Sequence, residues 1–253
     1  MTTPPTPSVP IHAVLDLLHA HRSIRRFAGD PVPDADLERA IAAGQMASTS
    51  SAIQAYCAIR VRDEQARRKL VELTGGQEKV AACGAFLVIC GDARRHALAA
   101  RREGLEHDAR FEAFLLAAID ASLFCEKTCI ALEAMGYGIC YVGGLRNHLA
   151  EVDALLELPR FVWPLYGLCI GVPDEAPAPR PRLPVPSVLF EDRYPDDGAV
   201  LEQLDAYDET YSAYRVARGA EPGTWSGIMG RKFSRPERTD IAAYYASKGA
   251  RLE

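Results

Sequence analysis

The stretch His-Arg-Ser-Ile-Arg-Arg-Phe, residues 21–27, brings an imidazole, a hydroxyl and three guanidinium groups close together in the chain. These groups are together good hydrogen-bond donors to a phosphate. A solvated charged turn is the ordinary explanation for such a cluster. The stretch by itself does not decide between an anion site and a plain surface turn.

A second basic cluster lies in the proline-rich segment 179–184, where Arg180 and Arg182 alternate with prolines. Prolines prevent a helix and favour extended backbone in the residues before them. In an extended chain residues two positions apart point to the same side, so both arginines could face one anion. The alternative is a linker whose arginines are incidental.

Two glycine turns could bring backbone close to a flat ligand. Glycine permits close approach and leaves its N–H group accessible at Gly143 and Gly144, which end a predicted strand. In Thr-Gly-Gly-Gln, residues 74–77, the Gln77 amide could offer a donor and an acceptor to the edge of a heterocycle. The plain alternatives are a strand-to-helix turn and a helix C-cap.

Familiar catalytic motifs are missing from the sequence. It contains no G-x-S-x-G, no H-E-x-x-H and no P-loop, and Gly136-x-Gly138 is followed by Tyr141 where the dinucleotide fingerprint requires glycine. Cys125 and Cys129 are one helical turn apart, but no histidine lies near them in the chain to complete a zinc site. We therefore expect no bound metal and a reaction carried by an organic cofactor.

The composition is that of a globular protein. Hydrophobic residues make up 48% and charged residues 25% of 253 residues, and the net charge of −5 argues against general nucleic-acid binding. No apolar run reaches the ~18 residues that span a bilayer, and the first residues do not resemble a secretion signal. The odd count of 7 cysteines favours reduced thiols. We expect a cytoplasmic protein that binds neither nucleic acid nor membrane.

Hydrophobic periodicity predicts interleaved strands and helices, and therefore a mixed α/β or α+β fold. The chain has no glycine or proline from about 108 to 135, which predicts a central helix of ~28 residues, ~42 Å long. Asp63 is the predicted N-cap of a helix that follows it. The predicted strands are 56–62, 85–92, 138–144 and 165–172; the other predicted helices are 11–18, 34–44, 64–74, 147–156, 198–217 and 238–248.

The predicted organisation has three parts. Residues 1–10, with four prolines, form a loose arm; residues 11–184 form a cofactor-binding core; and residues 185–253 form an extension that packs over the cofactor and a dimer partner.

Taken together and in order, these stretches resemble the FMN-dependent oxygen-insensitive nitroreductases. The similarity is to the branch that includes the NADPH-type major nitroreductase and the NADPH–flavin reductase. It covers about residues 10 to 250, through the segments 21–27, 48–51, 74–77, 141–147, 179–184 and 234–236.

The resemblance implies a fold, a cofactor and a reaction. The fold would be α+β, with a mostly antiparallel sheet flanked by helices around a long central helix, in an intertwined homodimer with FMN at the interface. NADPH or NADH would deliver hydride to flavin N5, and a nitroaromatic compound or quinone would then take two electrons in a ping-pong reaction. No side-chain acid or base is obligatory.

The resemblance also implies a role for each segment. The FMN phosphate would be bound by His21, Arg22 and Ser23 together with Arg180 and Arg182. Arg25 would place a cation at the pyrimidine edge of the flavin and stabilise its reduced form. Gln77 would contact the ring edge, and the flavin near N5 would be contacted by Tyr141, Val142, Gly143 and Gly144. The FMN of the partner subunit would be contacted by Thr49, Ser50 and Ser51. The nucleotide or substrate would be contacted by Arg218 and Arg235.

Other functions remain open on the sequence. A flavin reductase on the same fold would release reduced FMN to another enzyme. A sensor or carrier would bind FMN without turnover, and a binding module would use the same arginines for another phosphorylated metabolite.

The tail generates a prediction about the nucleotide. Arg218-Gly219 is followed by Ala-Glu-Pro-Gly-Thr-Trp, with Glu221 in place of the basic residues that would bind the 2′-phosphate of NADPH in the branch. Losing one arginine–phosphate contact costs ~1.5–3 kcal/mol. We expect a weakened preference for NADPH, measured as the ratio of kcat/KM for NADPH and NADH. A hundredfold preference for NADPH would contradict it.

Overall fold

The computed structural model describes residues 11–108 and 110–251. The described chain forms two compact units, one comprising residues 11–177 and 240–251 and the other residues 178–239. The predicted arm, residues 1–10, lies outside the described residues. The predicted division of the chain after residue 184 stays a prediction.

The elements follow one another as a mixture of helices and strands. The helices are α1 Ile11–His19, α2 Asp34–Gly44, α3 Glu64–Leu73, α4 Lys79–Ala82, α5 Arg94–Arg102, α6 Phe111–Ala134, α7 Leu149–Leu156, α8 Asp197–Ala217, α9 Trp225–Ser234 and α10 Ile241–Ser247. The strands are β1 Tyr56–Arg60, β2 Ala85–Asp92, β3 Gly138–Val142 and β4 Val162–Gly171.

The strands pair in the order β1-β2-β4-β3, and every neighbouring pair is antiparallel. Strand β2 is buried along its whole length, as its continuous apolar sequence predicts. Side chains alternate between the two faces of a strand, so Leu87 joins the core that includes α6 and Val88 joins the core that includes α3. The α+β class and the mostly antiparallel sheet are confirmed.

Helix α6 is the long helix that the sequence predicts, with 24 residues instead of about 28. At 1.5 Å per residue it is about 36 Å long. Its end is the predicted one: Gly136 has φ +87°, and the N–H of Tyr137 donates to the carbonyl of Leu132 at 3.0 Å. Helix α2 packs closely against it, because a Cβ on Gly44 would lie 2.0 Å from Oγ1 of the buried Thr128.

Several predicted boundaries need small corrections, and three helices were missed. Strand β1 ends at Arg60, β3 ends at Val142 before its two glycines, and β4 begins at Val162. The sequence did not predict the short α4, nor α5 and α9, which have no fully buried residue. Leu98 is the only large apolar residue of α5, and α9 contains two glycines, which lower helix propensity. The predicted N-cap of α3 is confirmed, since Asp63 accepts the N–H of Ala66 at 2.7 Å.

The second unit is built on α8 and α9, and each begins with a side-chain cap. Asp196 accepts the N–H of Ala199, and Thr224 accepts the N–H of Gly227. The buried Tyr207 of α8 donates its hydroxyl to the carbonyl of Pro181 at 2.9 Å. This bond attaches the proline-rich segment to the helix.

None of the helices within residues 11–108 and 110–251 has both the length and the apolar character needed to cross a bilayer.

Candidate functional site

The segment 21–27 runs along the edge of the sheet. The N–H of Ile24 donates to the carbonyl of Ile139 in β3 at 2.9 Å, and just beyond the segment Ala28 donates to Val172 at 3.0 Å. Ile24 and Phe27, the two apolar residues of the segment, are buried. The backbone is thus fixed in the middle of the segment and just after its end, and the polar side chains lie before and between these two anchors.

His21 and Arg22 begin this segment, beside a cavity of about 180 Å³ next to α6. Nδ1 of His21 lies 2.8 Å from Oε1 of Glu133 in α6, and Nη1 of Arg22 donates to the carbonyl of Pro177 at 3.3 Å. Burial raises the pKa of the Glu133 carboxyl, against the opposing effect of His21. Nothing in the sequence pointed to this carboxylate at the predicted phosphate site.

A second carboxylate shapes the middle of the segment. Glu175 accepts the backbone N–H of Arg25 and, at 3.1 Å, that of Arg26. The hydrogen bond from Arg25 holds the pKa of Glu175 below its usual range. Nη1 of Arg25 lies 3.3 Å from the carbonyl of Ser23, and the side chain of Arg26 is exposed with its Nε 3.6 Å from Glu175.

The two glycine turns meet in space. A Cβ on Gly144 would lie 2.3 Å from Nε2 of Gln77 and 2.5 Å from the carbonyl of Thr74, so only glycine fits there. Gln77 is fixed from both ends of its amide: Nε2 donates to the Thr74 carbonyl at 2.8 Å, and Lys79 Nζ donates to Oε1 at 2.5 Å. The structure therefore joins the predicted ring-edge residue to the turn predicted to lie near N5.

The side chains at the end of strand β3, just before this turn, are engaged within the chain. Val142 is buried, and the Tyr141 hydroxyl donates to Oε2 of Glu126 in α6 at 2.9 Å. Burial raises the pKa of Tyr141. Farther along, Arg146 donates to the carbonyl of Leu165 at 2.8 Å and ties the turn to β4. At Tyr141 and Val142 the backbone is thus the part left to contact a ligand.

The loop that contains Thr49, Ser50 and Ser51, here called the hydroxyl loop, is held by a buried carboxylate. Asp120 of α6 accepts the Thr49 hydroxyl, the N–H of Ser50 at 3.3 Å and the N–H of Ala55 at 3.1 Å. Its side chain is buried. The Thr49 hydroxyl proton is therefore used within the chain, whereas Ser50 and Ser51 are exposed.

The loop backbone needs this support because it is strained. Ser51, Ala52 and Gln54 have φ of 46°, 58° and 49°, in the left-handed region that non-glycine residues rarely adopt. Such conformations persist when the surrounding structure determines them. The one available signal for Asp120 in the sequence was a carboxylate within the apolar run 114–125.

The predicted arginines of the tail lie in the second unit. Nη1 of Arg182 donates to the carbonyl of Arg180 at 3.0 Å, and Nη1 of Arg218 lies 2.6 Å from the Tyr214 hydroxyl. Burial acts to raise the pKa of Tyr214, but hydrogen bonds from Arg218 and Arg180 outweigh it and lower that pKa. Arg180 and Arg218 thus share Tyr214, while Arg235 is exposed at the end of α9.

The fold and these segments define a class of protein. The profile of the nitroreductase family matches residues 18–172, and that of the nitroreductase family C-terminal domain matches residues 180–253. The chain belongs to the nitroreductase family.

Individual relatives match along nearly their whole length. The oxygen-insensitive NADPH nitroreductase of Salmonella typhimurium is 38% identical, over 93% of this chain and 97% of the relative. An FMN reductase (NADPH) of Bacillus subtilis is 37% identical, over 90% and 94%. The solved structure of the NADPH:FMN oxidoreductase from Vibrio harveyi complexed with NAD⁺ superposes with a TM-score of 0.86 at 36% identity, covering 94% of this chain and 98% of that one.

The hydroxyl loop yields a prediction for Asp120→Asn. An amide offers one acceptor oxygen where the carboxylate offers two, so donors of the loop lose their partner at about 1–3 kcal/mol each. The free energy of unfolding in urea should fall, and the amide of Ala55 should exchange faster. The exposed Asp16→Asn in α1 is the matched control. Unchanged stability and unchanged exchange in Asp120→Asn would show that the loop does not depend on this carboxylate.

Proposed function

We propose that the protein is an FMN-dependent NAD(P)H oxidoreductase that reduces nitroaromatic compounds or quinones. The observation that carries this proposal is the junction of the Gln77 turn with the Gly143–Gly144 turn, in the same unit as the basic segment 21–27. The names of the relatives support the cofactor and the nucleotide.

The residues present fit FMN by their chemistry. Segment 21–27 supplies cationic, imidazole and hydroxyl donors of the kind that bind phosphate, fixed to the sheet edge by Ile24. The contact between Gly144 and Gln77 leaves no room for a Cβ and gives a narrow backbone turn. Neutral backbone N–H groups and an oriented side-chain amide suit the polar edge of a flavin ring.

In this proposal each group of the chain acts by binding and orientation. His21, Arg22 and Ser23 hold the phosphate, and Arg25 places its positive charge at the pyrimidine edge. The amide of Gln77 is fixed by Thr74 and Lys79, and its second N–H and the second lone pair of Oε1 remain for the edge of the flavin ring. FMN, when bound by these residues, would supply the transfer of hydride and electrons between NAD(P)H and the acceptor.

The roles of Arg180 and Arg182 in phosphate binding, and of Arg218 and Arg235 in nucleotide or substrate binding, remain sequence predictions. The shared contact of Arg180 and Arg218 with Tyr214 supports a basic site within the second unit. We also propose a cytoplasmic location, supported by the seven cysteines, which all lie in the described residues and are free.

A flavin reductase is the second candidate, favoured by the Bacillus subtilis relative that carries that name. It would use the same cofactor residues and differ in the acceptor. Acceptor choice depends on loops around the ring, which vary readily between relatives.

Steady-state assays separate the two candidates. With NADPH or NADH as donor, nitrofurazone, a quinone and free FMN are compared as acceptors by kcat/KM. We expect turnover with nitrofurazone or the quinone to exceed turnover with free FMN, since the proposed enzyme keeps its flavin bound. Turnover with free FMN alone would favour the flavin reductase, and no turnover with any of them would overturn both.

We further propose that the protein is a homodimer, formed through α6. Four large apolar side chains four residues apart lie along this helix, each 40–45% exposed: Phe111, Leu115, Ile119 and Leu123. Such a stripe on the longest helix of the described chain favours a partner helix or surface. A second copy would also place Asp120 and its hydroxyl loop next to the partner.

The dimer proposal predicts the effect of Ile119→Lys. A charge in the centre of a buried apolar contact is strongly unfavourable, so the mass measured by light scattering should fall to that of one chain. The control is Leu98→Lys, at a similarly exposed leucine of α5 outside the stripe. A wild-type protein that is already monomeric, or an Ile119→Lys variant with unchanged mass, would contradict the proposed interface.

A further inference from the structure

The contact between His21 and Glu133 joins the predicted phosphate segment to the long helix. The two residues are separated by 112 positions in the chain, and Nδ1 of His21 lies 2.8 Å from Oε1 of Glu133. The side chain of Glu133 is only 14% exposed, while that of His21 is 29% exposed. The carboxylate is therefore the inner partner, and the imidazole lies between it and the surface.

The proton positions follow from the partners. When Glu133 is ionised it only accepts hydrogen bonds, and Nδ1 of His21 is then the donor of this contact. This orientation leaves Nε2 as the ring nitrogen that can contact a ligand. A phosphate oxygen is also an acceptor, so an imidazole that bridges Glu133 and a phosphate carries protons on both nitrogens.

The charges around the pair fit this arrangement. Arg22 and Glu126 are the other charged groups that act on Glu133. Across the small cavity Tyr137 donates its hydroxyl to Asp36 at 2.6 Å and is thereby engaged elsewhere. Glu133 is thus the carboxylate that His21 contacts directly.

We propose that Glu133 is a positioning residue for the phosphate of FMN, acting through His21, an inference that rests on the proposed function. The carboxylate holds the ring through Nδ1 and so directs Nε2 towards a phosphate oxygen. Glu133 itself does not touch the ligand. Its effect should therefore depend on whether the flavin carries a phosphate.

Riboflavin, which lacks the phosphate, provides the test. Glu133→Gln keeps the size of the side chain and removes its charge. FMN affinity should fall at least about tenfold, the loss expected when a hydrogen bond to a charged group is weakened. Riboflavin affinity should stay within about twofold. Both are measured by quenching of flavin fluorescence on the full chain after its flavin is removed by dialysis, with Glu112→Gln, exposed in the first turn of α6, as the control.

Two results would overturn the inference. Equal losses of FMN and riboflavin affinity would show that Glu133 only supports the fold, and an unchanged FMN affinity would show that it has no role. In a His21→Ala background, Glu133→Gln should cause no additional loss of FMN affinity; a full additional loss would exclude the route through His21.

The remaining outcomes are also decisive. If Glu133→Gln does not fold, His21→Gln is tested in its place, and it should weaken FMN and spare riboflavin; equal losses would contradict the proposal. A wild-type chain that binds neither flavin would overturn the proposed function itself. A wild-type chain that binds FMN, with Glu133→Gln affecting both flavins alike, would overturn only the inference.

Discussion

The carboxylates of α6 are the constraint on which the candidate site depends. Asp120, Glu126 and Glu133 lie six and seven residues apart, about two helical turns at each step. Asp120 is buried, Glu133 is half-buried and Glu126 is exposed. A buried or half-buried carboxylate is costly unless it accepts hydrogen bonds. Each one is satisfied by a different predicted cofactor segment: the hydroxyl loop, β3 before its glycine turn, and the basic segment that starts at His21. One rigid helix thereby fixes the spacing of three segments that are far apart in sequence.

The position of α6 depends in turn on ordinary packing. Small and apolar residues of α6 pack in one core with Leu87 and Ile89 of the sheet. Helix α2 lies so close to α6 at Gly44 that there is no space for a Cβ. The same helix keeps an apolar stripe exposed on another side. Core packing, loop support and the proposed subunit contact therefore use different faces of one helix. A substitution on one face that shifts the helix is expected to displace the residues on the other faces as well.

Local patterns predicted the backbone of this fold better than its polar contacts. The buried strand β2, the long helix and the turn at Gly136 follow from apolar periodicity and glycine, which act over a few residues. Resemblance to a family suggested most candidate site residues. The partners of those residues could not be predicted, because Asp120 and Thr49 are 71 positions apart and Glu133 and His21 are 112 apart. The surface helix α5 was missed for another reason, since none of its residues is fully buried and Leu98 is its only large apolar residue.

The most direct measurement is the visible absorbance of the purified protein before and after anaerobic addition of NADPH or NADH. An FMN-dependent oxidoreductase should be yellow, lose its flavin absorbance on adding either nucleotide, and regain it when a nitroaromatic compound or a quinone is added. A colourless protein with no affinity for FMN would contradict the cofactor assignment. Bound FMN whose absorbance neither nucleotide changes would contradict the enzymatic role and favour a flavin carrier or sensor.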